Sequence, residues 1–204
     1  MNSLRFSTLF VILSVFLMTT LAEAGGPMEQ VRASVDKVLN ILRDKELKKP
    51  EKAEERREKI KTVVHERFNF DEMAKRSLAI HWAKRTPAEK KEFVELFSDL
   101  LGRSYMKMIE GYADEQILYI AESIDGNYAI VKTKVLTREK REIPIDYKLI
   151  RANAKWEVYD VVIEGVSLIS NYRTQFNRII RTHSYQELVR RMKSKLEAEA
   201  LGQP

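Results

Sequence analysis

Cysteine is absent from this 204-residue chain, and its absence excludes several kinds of chemistry. Thiol catalysis and zinc sites with cysteine ligands are impossible, and no disulfide can stabilise the fold. Histidine is scarce as well: there are three, His65, His81 and His183. No HExxH pattern or relative of it contains them. We therefore expect no metal site.

The common signatures of nucleotide and ester chemistry are also missing. The sequence contains no GxGxxG or P-loop pattern and no G-x-S-x-G elbow. Ser167, two residues after Gly165, is better explained as a helix cap than as a nucleophile. We expect no catalytic residue and no cofactor.

One apolar run stands out, and it lies at the start of the chain. Ser7 to Leu21 is uncharged and mostly apolar, Arg5 precedes it, and Ala22-Glu23-Ala24 follows it. This order is typical of a secretory signal peptide, and the run is shorter than the roughly 20 residues of a spanning helix. Residues 1–24 are therefore predicted to be removed after Ala24, which leaves an exported single domain over residues 25–200.

The charge balance is basic, with a net charge of +6 and a pI near 9.4. Export argues against nucleic acid as a partner. The bases are also spread along the chain rather than gathered with aromatic residues, as in single-strand binders. Positive charge on an exported protein can instead attract anionic lipid headgroups or acidic partner surfaces.

The first half of the mature chain, residues 25–112, has helical periodicity. An apolar stripe from Val31 to Leu42 predicts one helix, and the dense alternating charges of Glu51 to Arg67 predict a surface helix with one buried edge. A short helix is expected near Asp71. Thr86-Pro87-Ala88-Glu89 has the features of a capping box and predicts a long helix that ends at Gly111.

Residues 113–200 form a sheet half with C-terminal helices. Asp125-Gly126 predicts a hairpin, Arg138 to Lys140 a second turn, and Lys155 to Ile163 a fourth strand. The fold class is therefore α+β, with a four-stranded antiparallel meander packed against several helices. From Val166 the period changes to that of a helix capped by Ser167, and Ser184 with Glu187 predicts a last helix.

Asp160 is the carboxylate that invites a catalytic interpretation. Next to an apolar space its pKa could be raised, which would make it a general base. The alternative is structural: Asp160 binds backbone amides, or a base such as Arg173, and fixes the turn between strand and helix. No second catalytic partner is evident, so the structural interpretation is favoured.

The segment Trp156 to Phe176 reads W-x-V-Y-D-V-x-I-E-G-V-S-L-x-x-N-Y-R-x-Q-F. It closely resembles the signature of the MlaC family, exported phospholipid-binding proteins of the lipid-asymmetry and toluene-tolerance transport systems of Gram-negative bacteria. The stretch from Phe70 through Thr86-Pro87-Ala88-Glu89 to Tyr105 resembles the same family in order and spacing. A glycine is usual in the family at the position of Ala79, and glycine-rich sequence is common near His183, so this chain departs at both places.

The resemblance implies an NTF2-like subdomain plus a helical subdomain around an apolar lipid cavity. It also implies a soluble periplasmic carrier, expected to be a monomer, that shuttles phospholipid between an outer-membrane lipoprotein complex and an inner-membrane ABC transporter complex. Periodicity and the resemblance together suggest candidate tail-contacting residues. They are Phe68, Phe97, Leu101, Tyr105, Tyr147, Tyr159, Ile163, Ile169, Tyr172 and Phe176.

Two other functions stay open at this point. One is a small enzyme that acts on an apolar lipid substrate with Asp160 as general base. The other is a periplasmic adaptor that binds protein partners through its basic helices and carries nothing. Composition alone does not distinguish a filled core from a lined cavity.

Overall fold

The computed structural model describes residues 25–111, 115–152 and 155–200. The predicted signal peptide, residues 1–24, lies outside the described residues. The α-helices are α1 (Pro27–Arg43), α2 (Ala53–Arg67), α3 (Phe70–Leu78), α4 (Pro87–Gly111), α5 (Leu168–Thr182) and α6 (Tyr185–Ala200). The strands are β1 (Gln116–Asp125), β2 (Tyr128–Leu136), β3 (Glu142–Ala152), β4 (Lys155–Ile163) and β5 (Val166–Ser167). Short 3₁₀ turns cover Pro50–Lys52 and Ala79–Lys84.

The long helix α4 begins where the capping box predicted. The Glu89 amide donates to Thr86 Oγ1 over 3.2 Å, and the Thr86 amide donates to the Glu89 carboxylate over 2.8 Å. These two bonds satisfy amides that the first helical turn leaves without partners. The helix then runs for 25 residues to Gly111, so the predicted length is confirmed.

The second predicted capping box forms only in part. The Glu187 amide donates to Ser184 Oγ over 3.1 Å, as predicted. The Glu187 carboxylate instead binds Arg190 and Arg191, each over 2.7 Å. Hydrogen bonds from these two guanidinium groups lower the pKa of Glu187 to about 2. The Glu187 carboxylate therefore binds two arginines and not the Ser184 backbone amide that a complete capping box requires.

The sheet is an antiparallel meander with strand order β1-β2-β3-β4-β5. Asp125 pairs with Tyr128 across the predicted hairpin, and Gly126 has a φ of 55°. One bulge interrupts β1 between Tyr119 and Ala121, and a second interrupts the pairing of β3 with β4 beside Lys148 and Leu149. The α+β class and the antiparallel meander are confirmed.

The predicted strand count was one too low, because Val166 had been assigned to the helix. Glu164 and Gly165 have φ angles of 49° and 82°, and they reverse the chain tightly. Val166 and Ser167 are thereby brought beside Ile163 and Val162, where they form a two-residue strand before α5 begins at Leu168. Val166 is exposed and does not belong to the buried stripe of α5.

Most of the buried apolar residues belong to one of two clusters. The first, called here the helical core, is made by α3, α4, α5 and α6 and includes Phe93, Phe97 and Leu188. The second, the sheet core, is formed by Val31 of α1 and the inner face of the sheet around Val131 and Val158. Phe68 packs against both clusters. The molecule therefore has two apolar layers that meet at Phe68.

In the described part of the chain, no helix combines the length and the apolar character needed to cross a bilayer.

Candidate functional site

An apolar cavity of about 240 Å³ lies between the helical core and the sheet core. Five helices and four strands contribute to its walls. The lining residues from helices and helix ends are Val31, Ser34, Val35, Val38, Leu39, Leu42, Val63, Val64, Arg67, Phe68, Phe70, Met73, Leu101, Tyr105, Met108, Ile109 and Leu168. Those from the sheet are Ile117, Val135, Ile145, Tyr147, Val158, Val161 and Ile163.

The walls of this cavity offer few polar groups. Apart from Ser34, Arg67 and two tyrosine hydroxyls, the described residues that line it have apolar side chains. Burial raises the pKa of Tyr105, and the neighbouring Tyr172 raises it further, so the hydroxyl stays neutral. Such a surface favours an apolar ligand, because a polar group moved into it would lose its hydrogen bonds to water.

Arg67 is the one guanidinium among the described residues that line the cavity, and neighbouring groups hold it in place. Arg67 donates to Ser34 Oγ over 2.9 Å, to Gln30 Oε1 over 2.7 Å and to the Trp156 carbonyl. Gln30 Oε1 also accepts from the Trp156 amide over 3.1 Å. Arg67 therefore ties α1 and α2 to the start of β4, close to the bridge that joins Phe68 to Val158.

Five of the ten residues predicted to contact lipid line the cavity. Phe68 lies at the meeting point of the two layers, Leu101 and Tyr105 lie on α4, and Tyr147 and Ile163 lie on the sheet. Periodicity and the family resemblance together were the signals that identified them.

The other five lie outside the cavity lining. Phe97, Ile169 and Phe176 are buried in the helical core, and the Tyr172 ring meets the Phe97 ring edge-on with centroids 5.2 Å apart. The Tyr159 ring lies 4.0 Å beneath the Arg76 guanidinium. Their periodicity correctly placed Phe97, Ile169 and Phe176 in the buried core, while Tyr159 and Tyr172 are partly buried against it. It could not indicate that all five residues pack in or against the helical core instead of lining the cavity.

Sequence reasoning missed the contribution of α1 to the cavity. Val35, Val38 and Leu42 were recognised as an apolar stripe, yet none was included among the candidate residues. The stripe has the same pattern as an ordinary packed helix, so nothing in the sequence marked it as cavity wall.

Asp160 has the structural role that the sequence favoured. It is 4% exposed, accepts from the Ile169 amide over 3.1 Å and from Ser167 Oγ over 2.7 Å, and lies 3.3 Å from Lys148 Nζ. The base beside it is thus Lys148 and not the suggested Arg173, which donates to Ser170 Oγ. Asp160 is not among the residues that line the cavity.

A charged cluster joins α2 to α4 next to this cavity. Arg56 and Arg57 both bind the carboxylate of Glu110, with shortest contacts of 2.7 Å and 3.2 Å. Partial burial alone would raise the pKa of Glu110, but the hydrogen bonds from Arg57 and Arg56 outweigh it and lower the pKa. Glu110 is therefore ionised near neutral pH.

Within residues 25–111, 115–152 and 155–200, no group of three acidic or histidine side chains is arranged to hold a metal ion.

Comparison with known proteins gives consistent matches over nearly the whole described chain. The family model described as "MlaC protein" matches residues 32–194. The toluene tolerance protein Ttg2D of Pseudomonas putida is 23% identical over 170 residues, which cover 82% of this chain and 79% of that protein. The intermembrane phospholipid transport system binding protein MlaC of Haemophilus influenzae is 20% identical over 193 residues, covering 92% and 90%.

A solved structure has a similar fold. It is that of a phospholipid-binding protein from Ralstonia solanacearum in complex with a phospholipid, with a TM-score of 0.76 and 21% identity. The match covers 86% of this chain and 99% of the other. At this level of identity the likeness establishes the shared fold.

Proposed function

The chain belongs to the MlaC family, and from that premise we propose that it is a periplasmic phospholipid carrier that holds acyl tails in the cavity between its two apolar layers. The observation that carries this proposal is the cavity itself, about 240 Å³ of space with almost entirely apolar walls. A packed core of ordinary density leaves few voids larger than a water molecule. An apolar space of this size supports a binding role.

The energetics favour acyl tails as the occupant. Each methylene removed from water contributes about 0.8 kcal/mol, so one tail of ordinary length contributes on the order of 10 kcal/mol. A hydrogen bond to a headgroup contributes only about 0.5–1.5 kcal/mol. Shielding the tails is therefore the main requirement for carrying a lipid through water, and the cavity walls are suited to it.

The cavity has to widen when it is loaded. Its volume of about 240 Å³ is below the roughly 300–1,000 Å³ of typical small-ligand pockets, and a diacyl lipid is larger than most such ligands. The helical core and the sheet core are separate clusters that share Phe68. Separation of the two layers around Phe68 would enlarge the space, and the bound tails would cover the apolar walls that it uncovers.

The same proposal includes export to the periplasm, a monomeric state and two membrane complexes as partners. The N-terminal pattern supports export with cleavage after Ala24, giving a carrier domain of residues 25–200. Two relatives carry names that refer to intermembrane phospholipid transport and to toluene tolerance. The name that refers to intermembrane transport supports a carrier that moves phospholipid between membranes. The family resemblance adds the expected partners, an outer-membrane lipoprotein complex and an inner-membrane ABC transporter complex.

Neither the enzyme function nor the adaptor function gains support from a specific contact. The carboxylate of Asp160 is occupied by the Ser167 hydroxyl and the Ile169 amide, and it does not reach the cavity. A carrier needs no general base, and the cavity supports binding rather than a filled adaptor core.

The direct test is native mass spectrometry with lipid extraction, on protein exported with its own signal peptide and purified without detergent. We expect diacyl phospholipid bound at about one molecule per chain, as one tail-binding cavity requires. Folded protein that carries no lipid, under conditions that preserve known carrier complexes, would contradict the proposal.

A further inference from the structure

Arg56 and Arg57 share a single carboxylate partner beside the cavity. Arg56 donates from Nε and Nη2 to Glu110 Oε1 over 3.1 and 2.7 Å. Arg57 donates from Nη2 to Oε2 over 3.2 Å and from Nε to both oxygens over 3.2 and 3.4 Å. Two forked donors therefore converge on one small anionic group.

This cluster lies at an end of the cavity that is close to solvent. Met108 and Ile109, which line the cavity, directly precede Glu110 on α4. Met108 is 37% exposed, so the cavity approaches the surface there. A ligand whose tails lay against these two residues would have its polar end near the surface at this end of α4, the end that carries Glu110.

The position of Arg56 is fixed independently of Glu110. Its Nη1 donates to the Leu47 carbonyl over 2.7 Å, and its side chain is only 16% exposed. Arg57 is more accessible, with 43% of its side chain exposed. One guanidinium is thus held in place while the other can adjust to an incoming anion.

The charges in this cluster do not balance. Two guanidinium groups face one carboxylate, which leaves an excess of one positive charge. A single arginine would be enough to tie α2 to α4. The second creates a site suited to an anion with more oxygens than a carboxylate, and guanidinium forks bind phosphate through paired hydrogen bonds.

We propose that Arg56 and Arg57 bind the phosphate group of a glycerophospholipid whose tails occupy the cavity, and that the Glu110 carboxylate occupies this site in the lipid-free chain. This inference rests on the proposed function and specifies which part of the lipid the protein recognises. Loading would exchange an internal carboxylate for the phosphate, so that the bond between α2 and α4 is released as the two layers separate.

The test compares two lipids with identical tails, dioleoyl phosphatidylglycerol and dioleoylglycerol, which lacks the phosphate. Affinities are measured on delipidated protein. We expect the wild-type protein to bind phosphatidylglycerol more tightly than dioleoylglycerol. Arg57→Gln should weaken phosphatidylglycerol binding by about tenfold, which corresponds to the loss of one charge-assisted hydrogen bond. The same variant should leave dioleoylglycerol binding unchanged. Glu110→Gln removes the competing charge and should strengthen binding of phosphatidylglycerol alone.

Arg190→Gln is the matched control, since Arg190 forms a similar ion pair with Glu187 on α6 outside the cavity lining. It should change the affinity for neither lipid. Inorganic phosphate is the third probe, and without tails it should bind far more weakly than the phospholipid. Binding as tight as that of the phospholipid would mean a free-anion site and would overturn the lipid assignment.

Other outcomes separate this inference from the proposed function. If Arg57→Gln weakens both lipids equally, or neither, the cluster is a structural clamp and the inference is wrong. If wild type binds neither lipid, the carrier function itself fails.

Discussion

The Ser167 hydroxyl donates to Asp160 Oδ2 over 2.7 Å while its oxygen accepts from the Ser170 amide over 3.0 Å. The other oxygen of Asp160 accepts from the Ile169 amide over 3.1 Å. One carboxylate and one hydroxyl thus satisfy the amides at the start of α5 and tie that helix to β4. This link fixes the angle at which α5 leaves the sheet, and Leu168 at its start lines the cavity.

Asp160→Asn should destabilise the fold without a specific effect on binding. The neutral amide loses the ion pair with Lys148 and places an NH2 group where the carboxylate oxygen accepts from Ser167 Oγ, and a buried mispaired polar group costs about 1–3 kcal/mol. Urea unfolding should show this loss, and lipid bound per folded molecule should stay at the wild-type level. Asp36→Asn, an exposed change on α1, is the control. Full stability combined with loss of a catalytic turnover would favour the enzyme hypothesis instead.

Leu100 and Leu101 offer a matched pair of neighbours on α4. Both are buried, at 4% and 6% exposure, but only Leu101 lines the cavity. The larger side chain of Leu101→Phe extends into empty space, so the unfolding free energy should change little. Crowding of the lipid tails should weaken lipid binding by about five- to a hundredfold, the effect of overpacking that costs about 1–3 kcal/mol. Leu100→Phe should instead lower the unfolding free energy by about 1–3 kcal/mol and leave binding by the folded fraction intact. Both variants are compared by thermal unfolding and lipid titration. Unchanged lipid binding in Leu101→Phe would show that the cavity is not the tail site.

The contribution of Glu110 to stability should depend on pH. Its pKa is lower in the folded protein than its ordinary value of 4.5, so the unfolded chain binds protons more readily. The contribution is therefore fully present above about pH 4.5 and is lost as the pH falls through the lower, native-state pKa. The stability gap between wild type and Glu110→Gln, measured by urea unfolding, should be about 1–3 kcal/mol at neutral pH and should shrink in acid. A gap that is independent of pH would mean that the ion pair does not cause it.

Ala79→Gly should stabilise the protein. Ala79 has a φ of 47° and a ψ of −118°, a conformation that glycine adopts more easily than alanine. Relief of this strain should raise the unfolding free energy by about 1 kcal/mol or more. Ala88→Gly, in the first turn of α4, is the control and should lower it by about 0.5–1 kcal/mol. A melting temperature that falls for Ala79→Gly would show that the backbone at this turn is not strained.

The sequence by itself determined the local elements of this protein. Thr86 and Glu89 set the start of α4, Asp125-Gly126 set the hairpin, and the apolar stripe from Val31 to Leu42 identified α1. Each of these depends on residues close together in the chain, because caps, turns and periodicity are short-range effects. The motif from Trp156 to Phe176 likewise carried the family resemblance.

Only the tertiary structure decided which apolar residues surround empty space. Phe97 and Leu101 lie one turn apart on the same stripe of α4, yet Phe97 meets Tyr172 and Phe176 while Leu101 faces the cavity. Periodicity shows that a side chain faces away from water, but it does not show whether another side chain opposes it. Packing of distant elements settles that question. The same limit applies to the charged cluster: Arg56 and Arg57 lie more than 50 residues from Glu110 in sequence, and they meet it only because the fold brings α2 to the end of α4.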